Sequence, residues 1–143
     1  MSAFRLASIL RLRNLEEQQA AGELASANHS LSKVVERRIE IRAKLAGTST
    51  DITSPGAIAA MSGARAASAS MLADLAAMHS AAEVTADTAS AAYKQARARA
   101  LALEKLEIRH DQQQAQQRAA DEQAALDEIA VSRRPARTAG GPA

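Results

Sequence analysis

Apolar side chains recur every seventh residue through most of this chain. Between Met61 and Leu106 one column holds Met61, Ser68, Leu75, Ala82, Ala89, Ala96 and Leu103. A companion column, three residues further on, holds Ala64, Met71, Met78, Thr85, Ala92, Arg99 and Leu106. Eleven of these fourteen are apolar, the exceptions being Ser68, Thr85 and Arg99. Closer to the N-terminus, Leu6, Leu10, Ala20, Leu24, Ala27, Leu31, Val34, Ile41 and Leu45 fit one seam, which Arg13, Glu17 and Arg38 interrupt. A sustained seven-residue repeat with few large side chains predicts a coiled coil in preference to a globular bundle.

Two breaks divide the pattern. The first, Gly47-Thr48-Ser49-Thr50-Asp51-Ile52-Thr53-Ser54-Pro55-Gly56, is a cluster of turn-forming residues. Gly47 stands where a helix would end on a left-handed residue. Ser54 followed by Pro55 has the chemistry of an N-cap and a first helical position. The second break is Pro135, beyond which the composition is that of a disordered tail. Between the breaks there is no proline, and Gly63 is the weak point of the second segment. Residues 1–46 are therefore expected to form one long helix, 47–56 a hairpin loop, 57–134 a longer helix and 135–143 a tail. Arg42 and Lys44 near the end of the first helix, and Arg133 and Arg134 at the end of the second, suit the negative end of a helix dipole.

A connection of roughly ten residues makes the helices antiparallel neighbours. The expected fold is all-α: a long antiparallel two-helix coiled-coil hairpin with the second helix longer than the first. Folding at the loop pairs Ile41 with Met61, Leu31 with Met71 and Leu24 with Met78, and sets Leu10 and Leu6 against Ala92 and Ala96. Met61, Met71 and Met78 then fill the core, with an adaptable docking surface as their alternative role. The length mismatch leaves about 30 residues of the second helix without a partner, at about 1.5 Å of rise each. That surplus includes Arg109-His110-Asp111-Gln112-Gln113-Gln114-Ala115-Gln116-Gln117-Arg118, the most polar stretch of the chain.

Composition narrows the picture further. Hydrophobic residues make up 47% of the 143, yet aromatics only 1%, because alanine carries the apolar share. Alanine forms helix readily but removes little apolar surface per residue, so it suits a thin seam and not a thick core. Basic and acidic groups number 18 and 16, for a net charge of +2. Cysteine is absent, which excludes disulfides and thiolate metal sites. Arg5, Arg11 and Arg13 interrupt the apolar residues of the N-terminus, so no secretory signal is expected there. No run of about 18 apolar residues occurs, so no transmembrane segment is expected.

Candidate chemistry is sparse. There is neither a phosphate-binding glycine loop nor a GxSxG elbow. His29, His79 and His110 each lack a second histidine at helical spacing, and adjacent His110 and Asp111 point apart, so they are expected to be solvated surface groups. Glu16-Glu17 and Asp127-Glu128 are paired acids, but a two-helix hairpin has no cleft in which to desolvate them. No catalytic, cofactor-binding or metal-binding residue is expected, and the chain is not read as an enzyme. Nucleic-acid binding is not expected either, because acids are interspersed among the arginines and Phe4 and Tyr93 are the only aromatics. Leu12 and Leu15 fall off the seam near Phe4, Arg5, Leu6, Ile9 and Leu10. That strip suits contact with a protein, or with an anionic membrane surface as a peripheral amphipathic helix.

Both ends resemble the FliJ family of flagellar export proteins. Phe4-Arg5-Leu6, followed by Ile9-Leu10-Arg11-Leu12-Arg13-Asn14-Leu15-Glu16-Glu17, is similar to that family's opening strip. Leu103-Glu104-Lys105-Leu106 and Asp121-Glu122-Gln123-Ala124-Ala125-Leu126-Asp127-Glu128-Ile129-Ala130 resemble its C-terminal helix. The resemblance implies a cytoplasmic coiled-coil adaptor of the flagellar type III export apparatus, peripheral at the inner face of the cell membrane. Its implied partners are the hexameric export ATPase ring, the export-gate membrane protein and substrate chaperones, with no cofactor. Candidate contact residues are Phe4, Arg5, Leu6, Leu12, Leu15, Arg109, Arg118, Glu122, Asp127 and Glu128. A homodimeric coiled-coil scaffold and a peripheral membrane protein are the alternatives from other classes.

Overall fold

Proline-free, alanine-rich segments form helix at little conformational cost, and the computed structural model has two of them. Helix α1 runs Ser2–Ala46 and helix α2 runs Pro55–Ser132. They pack antiparallel along one seam, with α2 the longer. The structure describes residues 2–48 and 54–133, with side chains from Leu6 onward in α1. The centre of the expected loop, Arg134 and the expected tail from Pro135 lie outside the described residues.

The helix ends show how local chemistry sets the boundaries. Ser54 has extended backbone, and its Oγ accepts the Ala57 N–H at 3.3 Å, with Pro55 in the first turn. This is the N-cap that the Ser-Pro pair predicts. The C-terminus of α1 departs from expectation, because Gly47 is not left-handed. Its N–H donates to the Ala43 carbonyl at 3.0 Å, continuing the helical ladder for one more residue. Thr48 Oγ1 then donates to the Lys44 carbonyl at 2.9 Å, so a hydroxyl satisfies an orphan acceptor that a Schellman turn would otherwise take.

On α1 the predicted seam is the observed one. Its nine apolar residues, and Arg13, Glu17 and Arg38 among them, are buried or half-buried, and apart from Glu16 their described neighbours are exposed. On α2 the first predicted column is also correct: Met61, Ser68, Leu75, Ala82, Ala89, Ala96 and Leu103 are all half-buried. The companion column is not. Ala64, Met71, Met78, Thr85, Ala92, Arg99 and Leu106 are exposed, Met71 by 52% and Met78 by 55%. The second column of the seam lies four residues after the first, at Leu72, His79, Ala86, Tyr93, Ala100 and Glu107. Of the expected methionine core, only Met61 is half-buried.

The reason is the alanine. When most faces of a helix are mildly apolar, counting apolar residues barely separates one column from the next. Burial against the other helix separates them instead. Ala27, Ile41, Ala86 and Ala100 are the buried apolar residues, exposed by only 4 to 8%, and no described side chain is completely enclosed. Three of the four are alanines, which let helices approach closely where a larger side chain would hold them apart.

The register differs from the expected one by about three turns. Glu17 accepts a hydrogen bond from Arg97 Nη1 at 2.7 Å. Glu16, Gln19 and Ala20 share an open groove with Ala92, Gln95, Ala96 and Arg99. Near the other end, Arg37 and Ile41 share one with Met71, Asp74, Leu75 and Met78. Ile41 therefore lies near Leu75 and not Met61, and Leu31 and Leu24 lie near Glu83 and Ser90 and not Met71 and Met78. Continued outward, this register sets Leu10 and Leu6 beside residues 104–110 in place of Ala92 and Ala96. The end of α1 stands level with about Ser68, so α2 begins about 20 Å beyond it along the axis.

Ion pairs decorate the seam. Arg97–Glu17 joins the two helices, and both its hydrogen bond to Glu17 and its proximity to Tyr93 hold the Arg97 guanidinium above its ordinary pKa. Within α1, Glu40 accepts from Lys44 Nζ and from Arg37 Nη1, each at 2.8 Å. These bonds, Lys44 first, hold the Glu40 carboxyl below its ordinary value of 4.5.

Two predictions follow from these charges. Reversing either member of the cross-helix pair, as Glu17→Arg or Arg97→Glu, is expected to lower the melting temperature, and the double reversal to recover most of the loss. A thermal melt of the three variants at low salt reads the result, since screening erases an exposed pair. A carboxyl whose pKa is depressed on folding stabilises the fold above its unfolded value, and that contribution is lost as pH falls through the folded value. Acidification through this range is thus expected to lower the melting temperature less in Glu40→Gln than in the parent chain.

Candidate protein-docking surface

The seam stops where its own columns turn polar. Continuing them beyond His110 brings Gln114, Gln117, Asp121, Ala124, Glu128 and Val131 to seam positions, four of the six polar. Every residue from Asp111 to Arg133 is exposed. The projecting part of α2, residues 111–132, is about 33 Å long at 1.5 Å per residue. It is shorter than the surplus expected from the lengths alone, because the same register leaves the start of α2 overhanging at the loop end.

This rod is acidic. Asp111, Asp121, Glu122, Asp127 and Glu128 face a single cation, Arg118, whereas the chain as a whole carries +2. Gln117 Nε2 donates to Asp121 Oδ1 at 3.2 Å and Gln123 Nε2 to Asp127 Oδ1 at 2.9 Å, both one turn apart along the helix. Such pairs support an isolated helix in water.

The candidate contact residues divide into three groups. Phe4 and Arg5 belong to the first turns of α1, and their side chains lie outside the description. Leu6 is half-buried in the seam, so the hairpin uses it and it is not offered to a partner. Leu12 and Leu15 are 53% and 62% exposed, as their off-seam spacing implies, and Ile9 joins them one turn earlier. Arg109 is exposed at the end of the paired region, and Arg118, Glu122, Asp127 and Glu128 are exposed on the rod. At 100° per residue these last four point in several directions and form no single cluster.

An apolar stripe on α2 has no counterpart in the expected contact set. Leu101, Ile108, Ala115, Ala119, Leu126 and Ile129 follow one another at intervals of seven, seven, four, seven and three. All six are exposed. Those intervals keep them on one face, turned from the seam by roughly a third of a turn. The signal was present in the sequence as a second seven-residue period, but in an alanine-rich helix it was outscored by the seam columns.

The histidines also need correction. His29 is exposed as expected, but His79 and His110 are half-buried seam residues. His79 Nδ1 lies 3.4 Å from Glu83 Oε2, and His110 Nδ1 comes within 3.5 Å of Asp111 Oδ1 despite their adjacency. Glu16 and Glu17 are half-buried, against Arg13 and Arg97, in place of the solvated face expected of them. The grooves flanking the seam are open to water. One runs past Leu24, Leu31, Glu83, Ala86 and Asp87, and both its carboxylates are exposed. No group of three or more histidines and carboxylates suited to a metal ion occurs among the described residues. No described helix is long and apolar enough to cross a membrane.

No protein-family model, no curated protein and no solved structure matches this chain.

Because every described residue of the rod is exposed, ending the chain after His110 is expected to leave the stability of the paired region within about 0.5 kcal/mol of the parent. Urea unfolding followed by circular dichroism tests this. A large fall in midpoint would mean that the rod folds back onto the seam.

Proposed function

We propose that this chain is a non-catalytic adaptor that works through helix-to-protein contacts, with the bare acidic rod of α2 as its docking element. The observation that carries the reading is the rod itself: residues 111–132, helical and exposed on every side. A single helix is only about 10–12 Å across with its side chains, narrow enough to enter a channel or lie in a groove. Its negative charge steers it toward a basic surface.

The likeness of both ends to the FliJ family supports a finer assignment, to the flagellar type III export apparatus. In that reading the rod enters the ring of the hexameric export ATPase. The outward strip of Ile9, Leu12 and Leu15 meets the export-gate protein or a substrate chaperone at the inner face of the membrane. The strip supports this role because it is exposed apolar surface that the hairpin does not use. Catalysis has no part in the proposal, since a two-helix seam offers open grooves and no enclosed site.

The test is direct binding to the purified export ATPase hexamer. The full chain is expected to bind, the chain ended after His110 to lose at least about tenfold in affinity, and Leu12→Ser with Leu15→Ser to bind the ring as the parent does. Undiminished ring binding by the shortened chain would overturn the assignment of the rod.

A further inference from the structure

We propose that Met71 and Met78 form a surface site of reversible oxidation by peroxides, which the fold accommodates without unfolding. The chain has no cysteine and no tryptophan, so its methionines carry its only readily oxidised sulfur. Susceptibility among them is then set by access to water. Met61 is half-buried in the first seam column, whereas Met71 and Met78 are 52% and 55% exposed. Met1 lies outside the described residues.

The two exposed thioethers belong to one place. Seven residues apart, they stand about 10 Å from each other on one flank of α2. Both line a single open groove with Leu75, Ile41, Arg37 and Asp74. Neither belongs to the seam, whose two columns pass through Leu75 and through Leu72 and His79 at this level. The one-residue displacement of the second column, from Met71 and Met78 to Leu72 and His79, is what turns both thioethers outward. A small oxidant therefore meets them without any opening of the hairpin.

The step is an oxygen transfer. A sulfur lone pair attacks one oxygen of hydrogen peroxide, the O–O bond breaks and an S–O bond forms. Sulfur is oxidised by two electrons, the peroxide is reduced, and its other oxygen leaves as water with both protons. The product is neutral but far more polar than the thioether, which accepts hydrogen bonds only weakly. Arg37 lines the same groove, and its guanidinium has N–H donors beyond the one it gives to Glu40. The groove thus already holds a donor for the new oxygen. Oxidation turns an apolar flank polar and leaves the seam as it was, whereas the same change inside the seam would bury an oxygen among apolar neighbours. Methionine sulfoxide reductases act on this product and return the thioether. The inference makes no use of the rod, so it stands apart from the export assignment.

Timed exposure of the folded chain to dilute hydrogen peroxide, followed by peptide mass spectrometry, reads each rate. Met71 and Met78 are expected to gain one oxygen each at within about threefold of the rate of free methionine, and Met61 to lag them by at least about threefold. The doubly oxidised chain is expected to keep its helix content and to melt within about 3 °C of the parent. A methionine sulfoxide reductase is expected to restore both residues. In urea, where burial is lost, the rates at Met61, Met71 and Met78 are expected to converge. The proposal is overturned if Met61 reacts as fast as the pair in the folded chain, or if its lag persists in urea. Unfolding as the pair reacts, or sulfoxides that the reductase leaves in place, overturns it equally.

Discussion

The geometry of this molecule depends on how little side-chain volume lies between its two helices. With alanine as the chief apolar residue, neither helix has the bulk to fill a wide core, and three of the four buried apolar residues are Ala27, Ala86 and Ala100. Burying an alanine removes only a fraction of the surface that leucine would remove. Stability must therefore accumulate over many turns. A two-helix hairpin of this composition has to be long, which is why α1 is paired along nearly all of its length.

The same thinness explains what is left outside the seam. A narrow contact covers one stripe of each helix and leaves the others to water, so Leu12, Leu15, Met71, Met78 and Leu106 are exposed without any failure of packing. A soluble helix tolerates such residues singly. In ordered columns they become surfaces. The stripe of α2 from Leu101 to Ile129 is such a column, and it begins before the hairpin seam has ended. Over residues 101–110 the helix is thus two-sided, holding α1 on one face and presenting an empty apolar face on the other. Beyond His110 only the second face remains.

Helical class, the Ser54 cap, the seam of α1 and one column of α2 were all determined by the sequence, because each follows from local chemistry or from a period that large side chains state plainly. Leu24, Leu31 and Ile41 stand out against their neighbours, so the inward face of α1 was legible. On α2 it was not: Met71 and Met78 outweigh Ala86 and Ala100 in any count of hydrophobicity, yet the alanines lie inside. The closest approach of two backbones rewards small size, and that reward exists only once both helices are in place. Register was likewise undecided by sequence. A short loop suggested Ile41 beside Met61, whereas the pairing of Glu17 with Arg97 lies about three turns away from that register. The tertiary structure thus decided which face of α2 is spare and where the rod begins, because both depend on the fit of one helix to the other.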